Sequence, residues 1–162
     1  MAKEKTEKTN VMRLLEQKGI PYTPHDYRAS GAVGGTEVAA ALDEDPARVF
    51  KTLVTQGASG GHYVFVIPVA EELDLKKAAK AVGEKSIAML PQKELLPLTG
   101  YLHGGCSPIG MKKLFPTYVD QSAADLEKIS VSAGVRGCQV ILPTKALLDC
   151  VHARLADLTE KN

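Results

Sequence analysis

Residues 49–68 read VFKTLVTQGASGGHYVFVIP. Two β-rich runs, VFKTLVT (49–55) and HYVFVIP (62–68), flank a loop that is mostly glycine and serine. That pattern predicts a β-hairpin. The second run is apolar on both faces, as a strand near the centre of a sheet must be. Working outward, SIAML (86–90), TYVD (117–120), ISVSA (129–133) and CQVIL (138–142) are further strand candidates, and Tyr22 to Tyr27 reads as a strand entered through a proline. Helical spacing of Val11, Leu14 and Leu15 predicts a helix over 7–18 with Gly19 as its stop. DLKKAAKAVG (74–83) carries Asp74 as cap and Gly83 as terminator. PQKELLPL (91–98) has Pro91 in its first turn, and TKALLDCVH (144–152) makes a final helix. Shorter helices are expected over 36–42, capped by Thr36, and near 123–128, with Asp45-Pro46 breaking the chain between the first of these and VFKTLVT. Short strands interleaved with short helices predict an α/β, mixed α+β, fold. The expectation is one domain over 1–162 around a single curved mixed sheet, with residues 1–8 a flexible lead-in.

Composition narrows the function classes. The chain has 162 residues, 44% hydrophobic and 24% charged, enough for a core that needs no disulfide or structural metal. Its three cysteines lack any zinc-ligand spacing and point to a reducing compartment. The N-terminal MAKEKTEKTN is neither a signal peptide nor an anchor, and the longest apolar run, YVFVIPVA (63–70), is too short to span a bilayer. A cytoplasmic protein with no membrane partner is expected. A net charge of +1, from 20 basic and 19 acidic residues, is not that of a protein holding nucleic acid by charge alone.

Several side chains are candidates for chemistry. Lys51 stands in the apolar setting VF-K-TLV. Alternation puts Val49, Lys51 and Leu53 on one face and Phe50, Thr52 and Val54 on the other. Two readings are open from the strand alone: a strand-end lysine in water, or a cation that reaches a pocket. His25, His62, His103 and His152 form no ligand pattern; His103 adjoins GGCSPIG (104–110), a segment nearly stripped of side chain. Cys106 inside that segment could act as a nucleophile given a lowered pKa, whereas Cys138 and Cys150 look like core thiols. Ser107 is not in GxSxG. SVSAGVRG (130–137) is a second Ser/Gly-rich segment, whose Arg136 could meet a phosphate or simply flank a turn. GxGxxG and Walker A patterns are absent, and no cofactor or metal is expected.

Taken together, VFKTLV (49–54), DLKKAAKAVG (74–83), TGYLHGGCSPIG (99–110) and SAGVRG (132–137) resemble the YbaK/EbsC family, free-standing relatives of the editing domain of bacterial prolyl-tRNA synthetase. The resemblance runs from about Val11 to Leu158. It implies a compact α/β fold and hydrolysis of mischarged tRNA, most typically Cys-tRNA(Pro). It makes Lys51 the essential side chain. It places Tyr27, Thr52, Gly104 and Ser132 around the substrate, and Gly105, Ser107 and Gly110 of the bare loop and Gln139 are further substrate-binding candidates. Some family members have aspartate where this chain has Gln139, and others an aromatic residue where it has Gly34.

The implied chemistry needs no protein nucleophile. A cysteinyl ester can close on its own carbonyl if it is held in a near-attack geometry and the developing oxyanion is stabilised. Bare main chain in GGCSPIG would let amides approach the aminoacyl-adenosine end. The alternatives are clearance of another small residue, such as alanine, by an activated water, and a non-catalytic tRNA- or protein-binding module. The expected partners are mischarged tRNA(Pro) and, for tRNA selection, prolyl-tRNA synthetase.

Overall fold

The computed structural model describes residues 8–26 and 46–160. Tyr27, the helix expected over 36–42, Asp45, Gly34 and the loop around it lie outside the described residues. In chain order the first elements are α1 (Asn10–Gln17), β1 (Thr23–Asp26), β2 (Phe50–Gly57), β3 (His62–Pro68), α2 (Leu75–Val82) and β4 (Ile87–Met89). They are followed by α3 (Gln92–Thr99), β5 (Thr117–Asp120), β6 (Lys128–Ser132), β7 (Cys138–Pro143), α4 (Thr144–Cys150) and β8 (Arg154–Ala156).

The hairpin read from residues 49–68 is β2 against β3, antiparallel from Phe50↔Pro68 to Gln56↔His62. It is the centre of a five-stranded mixed sheet of order β4-β2-β3-β5-β8. The strand pairs β3–β5 and β5–β8 are parallel. A second, antiparallel sheet has the order β1-β7-β6. Pro24 sits in β1 at the edge of this sheet, where the missing N–H costs no ladder bond. The mixed α/β class is therefore as the sequence predicts, but the strands divide into two sheets where one was expected. The sheets meet at a single parallel bridge, Val49 with Ser130. Had that ladder continued, Lys51 would lie opposite Ser132. Instead the β6–β7 turn packs on the glycine-rich loop, and the sheets part just beyond Val49.

Local codes account for the helices. Thr9 caps α1, its Oγ1 accepting from Met12 N at 3.2 Å, and the helix buries Val11, Met12 and Leu15. Asp74 caps α2 by accepting from Lys76 N and Lys77 N, and Gly83 closes it in the left-handed conformation. Residues 121–125 form a 3₁₀ turn capped by Asp120, a little before the helix expected near 123–128. Lys8, assigned to a flexible lead-in, holds Glu16 at 3.0 Å on the surface. The main core joins α1, the inner face of the three-stranded sheet, and Phe50, Val54, Val64 and Val66 of the hairpin. A smaller core beneath α2 gathers Phe65, Ile67, Leu73, Ala78 and Ile87 on the other face of the hairpin. Each fully buried Leu, Ile or Phe contributes roughly 1.5–3 kcal/mol, so the hairpin is held from both sides.

Candidate active site

The parting of the two sheets leaves a cavity of about 660 Å³. Among the described residues β4 pairs with β2 only over Thr55–Gly57, and the cavity follows the first half of β2, which beyond the Val49 bridge no described strand covers. Residues from both faces of β2 border it, Phe50, Thr52 and Val54 from one and Lys51 and Leu53 from the other. The phase of the hairpin is fixed by Val69 N donating to Val49 O at 2.9 Å and Leu90 N donating to Val54 O at 3.1 Å. In that phase the even-numbered residues turn their peptide groups away from β3. The N–H and C=O of Thr52 thus face the cavity edge.

Five of the residues named from the sequence border this one space: Lys51, Thr52, Gly104, Ser132 and Gln139. Lys51 is half-buried. Thr52 carries a buried hydroxyl with no hydrogen-bond partner. Gln139 is 8% exposed and its Oε1 accepts from Ser130 Oγ at 3.0 Å, which fixes the amide in the wall of the cavity.

Gly105, Ser107 and Gly110 sit elsewhere. Ser107 is fully buried and its Oγ accepts from Ile109 N at 3.2 Å, a turn within the loop. A Cβ on Gly105 would stand 2.8 Å from Arg136 N and 2.9 Å from Val135 C. One on Gly110 would stand 2.8 Å from Leu14 Cδ1. Those two glycines are bare because other parts of the protein press on them. The amides of Gly105 and Ile109 are also engaged inside the loop, with Leu102 O and Ser107 Oγ. Of the segment 104–110, Gly104 and Cys106 are the positions that reach the cavity. Tyr101 ties the loop shut by donating its hydroxyl to Ile109 O.

Cys106 has the position for a nucleophile but not the acidity. Burial pushes its thiol up to about 12, so it is protonated at neutral pH. His103 and Arg136 also border the cavity. Arg136 Nη2 donates to His103 O at 3.0 Å and its guanidinium lies over Gly104. The sequence reading noticed both residues without assigning them to the site. It missed the wall opposite β2, built by Met89, Leu90, Gln92 and Leu95 from β4 and α3. No motif marks that wall in the sequence; Met89, which ends β4, is 46% exposed. Among the described residues no group of three or more His, Cys, Asp or Glu could hold a metal ion. None of their helices is long and apolar enough to cross a membrane.

Lys51, Thr52, Gly104, Ser132 and Gln139 thus border one cavity beside β2. The chain belongs to the aminoacyl-tRNA editing domain family, whose model matches residues 31–150. It is 48% identical, over 99% of both chains, to an Enterococcus faecalis protein named "Putative Cys-tRNA(Pro)/Cys-tRNA(Cys) deacylase EbsC". A proline–tRNA ligase of Shouchella clausii is 30% identical over 62% of this chain and 18% of that enzyme. A solved structure described as a "putative trans-editing enzyme for prolyl tRNA synthetase" superposes with a TM-score of 0.84 at 28% identity, covering 93% of this chain and 95% of that one. Another, of a hypothetical protein, shares the fold with a TM-score of 0.84 at 23% identity, covering 93% of this chain and 99% of that one.

Proposed function

We propose that this chain, as a single editing unit over 1–162, deacylates mischarged tRNA in trans and that its principal substrate is Cys-tRNA(Pro). The observation that carries the reading is the shared cavity of Lys51, Thr52 and Gly104, with no ionised protein thiol beside it. The substrate supplies the nucleophile. Its thiol sulfur attacks its own ester carbonyl, a C–S bond forms, and the C–O bond to the terminal ribose breaks. The thiol proton passes to the departing ribose oxygen, leaving free tRNA and a thiolactone that water opens to cysteine. Lys51 stabilises the negative charge that develops on the ester oxygens, and Thr52 and Ser132 orient the aminoacyl group. Tyr27 belongs to the same substrate shell on the strength of the resemblance. The catalytic gain comes from orientation and fixed charge, the two effects such a preformed site can supply.

A net charge of +1 gives the chain little general hold on tRNA. Selection of tRNA(Pro) is therefore assigned to prolyl-tRNA synthetase in a transient complex, in the cytoplasm. The test is deacylation of Cys-tRNA(Pro) and Ala-tRNA(Pro) by the purified protein and by Lys51→Met. The wild type is expected to clear cysteine, and the variant to lose about 10²–10³-fold in kcat, the usual cost of removing one charge-stabilising donor. Release of alanine but not cysteine would overturn the substrate assignment. Full activity of Lys51→Met would remove the lysine from the mechanism.

A further inference from the structure

A second groove, of about 590 Å³, adjoins the cavity and shares Gln92, His103 and Arg136 with it. Its sides are apolar and open to solvent: Leu96 is 47% exposed, Leu102 66% and Val135 36%. Three large apolar side chains gathered at the mouth of a cavity are not ordinary surface, and such patches mark contacts with something else. The rest of the lining is low and flat where Gly100, Gly105 and Gly134 contribute only main chain. Among the described residues the charge at the groove is basic. Arg136 stands on the shared rim with only one of its five N–H donors committed, to His103 O. The stem of Lys112 passes 3.3 Å from where a Gly100 Cβ would be. Among the described residues no acidic side chain lines either space.

Flat apolar walls beside a guanidinium suit a planar aromatic ring that carries an anion, which is the chemistry of a nucleotide. Continuity decides which nucleotide. Resting on the proposed function, the aminoacyl ester occupies the cavity along β2, and its ribose must leave across the rim made by Gln92, His103 and Arg136. We infer that the groove walled by Leu96, Leu102 and Val135 receives the base of the 3′-terminal nucleotide of tRNA, with Arg136 meeting its phosphate. The groove then measures out the substrate: the amino acid is read on one side of the rim and the nucleoside is anchored on the other. A free aminoacyl ester without a nucleoside would fill only half of the site.

The test separates this assignment from the activity. The trinucleotide CpCpA, uncharged, is added to methyl-labelled wild-type protein. The methyl resonances of Leu96, Leu102 and Val135 are expected to shift, whether or not the protein deacylates anything. The double variant Leu96→Ser/Leu102→Ser, altered only at exposed positions and checked for an unchanged melting temperature, is expected to lose those trinucleotide-induced shifts at Val135. Its KM for Cys-tRNA(Pro) should rise about tenfold with kcat changed less than twofold, the signature of lost uniform binding. Unmoved methyls with CpCpA, or an unchanged KM in the variant, would overturn the inference. So would methyls that respond to prolyl-tRNA synthetase and not to the trinucleotide, since the groove would then be a protein docking surface. Shifted methyls in a wild type that fails to clear cysteine would support the groove while removing the proposed substrate.

Discussion

Thr52 and Cys106 are buried polar groups on one cavity with opposite meanings. The Thr52 hydroxyl has no partner, and leaving such a group unsatisfied costs the fold about 1–3 kcal/mol. Thr52→Val keeps the shape and removes the hydroxyl. It is therefore expected to hold or raise the melting temperature while lowering kcat/KM for Cys-tRNA(Pro) by about tenfold or more. Denaturation and deacylation measured on one preparation would decide it; a loss of stability without a loss of activity would make the hydroxyl structural. Cys106 is 9% exposed and sits in the main core, with its thiol held protonated by burial. Cys106→Ala should lose stability, about 1–2 kcal/mol for a small buried side chain, yet keep kcat within a few-fold. Abolished turnover in a folded Cys106→Ala protein would restore the thiol as a nucleophile.

Loop 101–110 and the β6–β7 turn act as one element, and the contact that joins them is Gly105 against Val135 and Arg136. Both neighbours of a Cβ there are main-chain atoms, at 2.8 and 2.9 Å, so no side-chain rotation relieves the clash. Gly105→Ala is expected to cost about 1–3 kcal/mol, the range for overpacking. Gly104→Ala meets only the movable end of Arg136 but must hold φ near +90°, a strained conformation for alanine. Thermal denaturation should rank Gly105→Ala as the more damaging to the fold and activity should rank Gly104→Ala as the more damaging relative to its stability. This element also shows where sequence is legible. Asp74, Gly83 and the apolar runs of β2 and β3 act on neighbours a few residues away, so their meaning is written locally. The split into two sheets depends on one bridge between Val49 and Ser130, which no local pattern encodes. In the same way Ser107 and Gly110 belong to the motif that marks the site, yet they serve the loop's own turns. Met89, Leu90 and Gln92 belong to no motif and form a wall of the cavity because β4 ends beside the first half of β2.

At the scale of the whole molecule, the burial that disarms Cys106 should also be visible in the pH dependence of folding. Desolvation raises Cys106 from 9.0 to about 12 and Tyr101 from 10.0 to about 12, and both belong to the main core. Tyr22 is likewise raised from 10.0 to about 12, chiefly by desolvation, so between those limits the folded chain keeps three protons that the unfolded chain releases. The unfolded state then binds fewer protons, so stability is fully present below pH 9 and falls as pH rises toward 12. At the acid end Glu84, lowered chiefly by the Ser59 hydroxyl, and Glu16, lowered chiefly by the Tyr22 hydroxyl, act in the opposite sense. Their contribution is present above the ordinary carboxylate pKa and is lost as pH falls through their folded values; because both are on the surface, that limb should be shallow. The steeper loss is therefore expected on the alkaline side. Chemical denaturation of the wild type and of Cys106→Ala from pH 7 to 11 checks this. The variant starts lower, but its stability should decline with a slope smaller by up to one proton, because Cys150, also raised by burial, and the tyrosines remain. Parallel declines in the two proteins would show that the thiol ionises as freely in the fold as out of it, and with that the case for leaving the nucleophile to the substrate would fail.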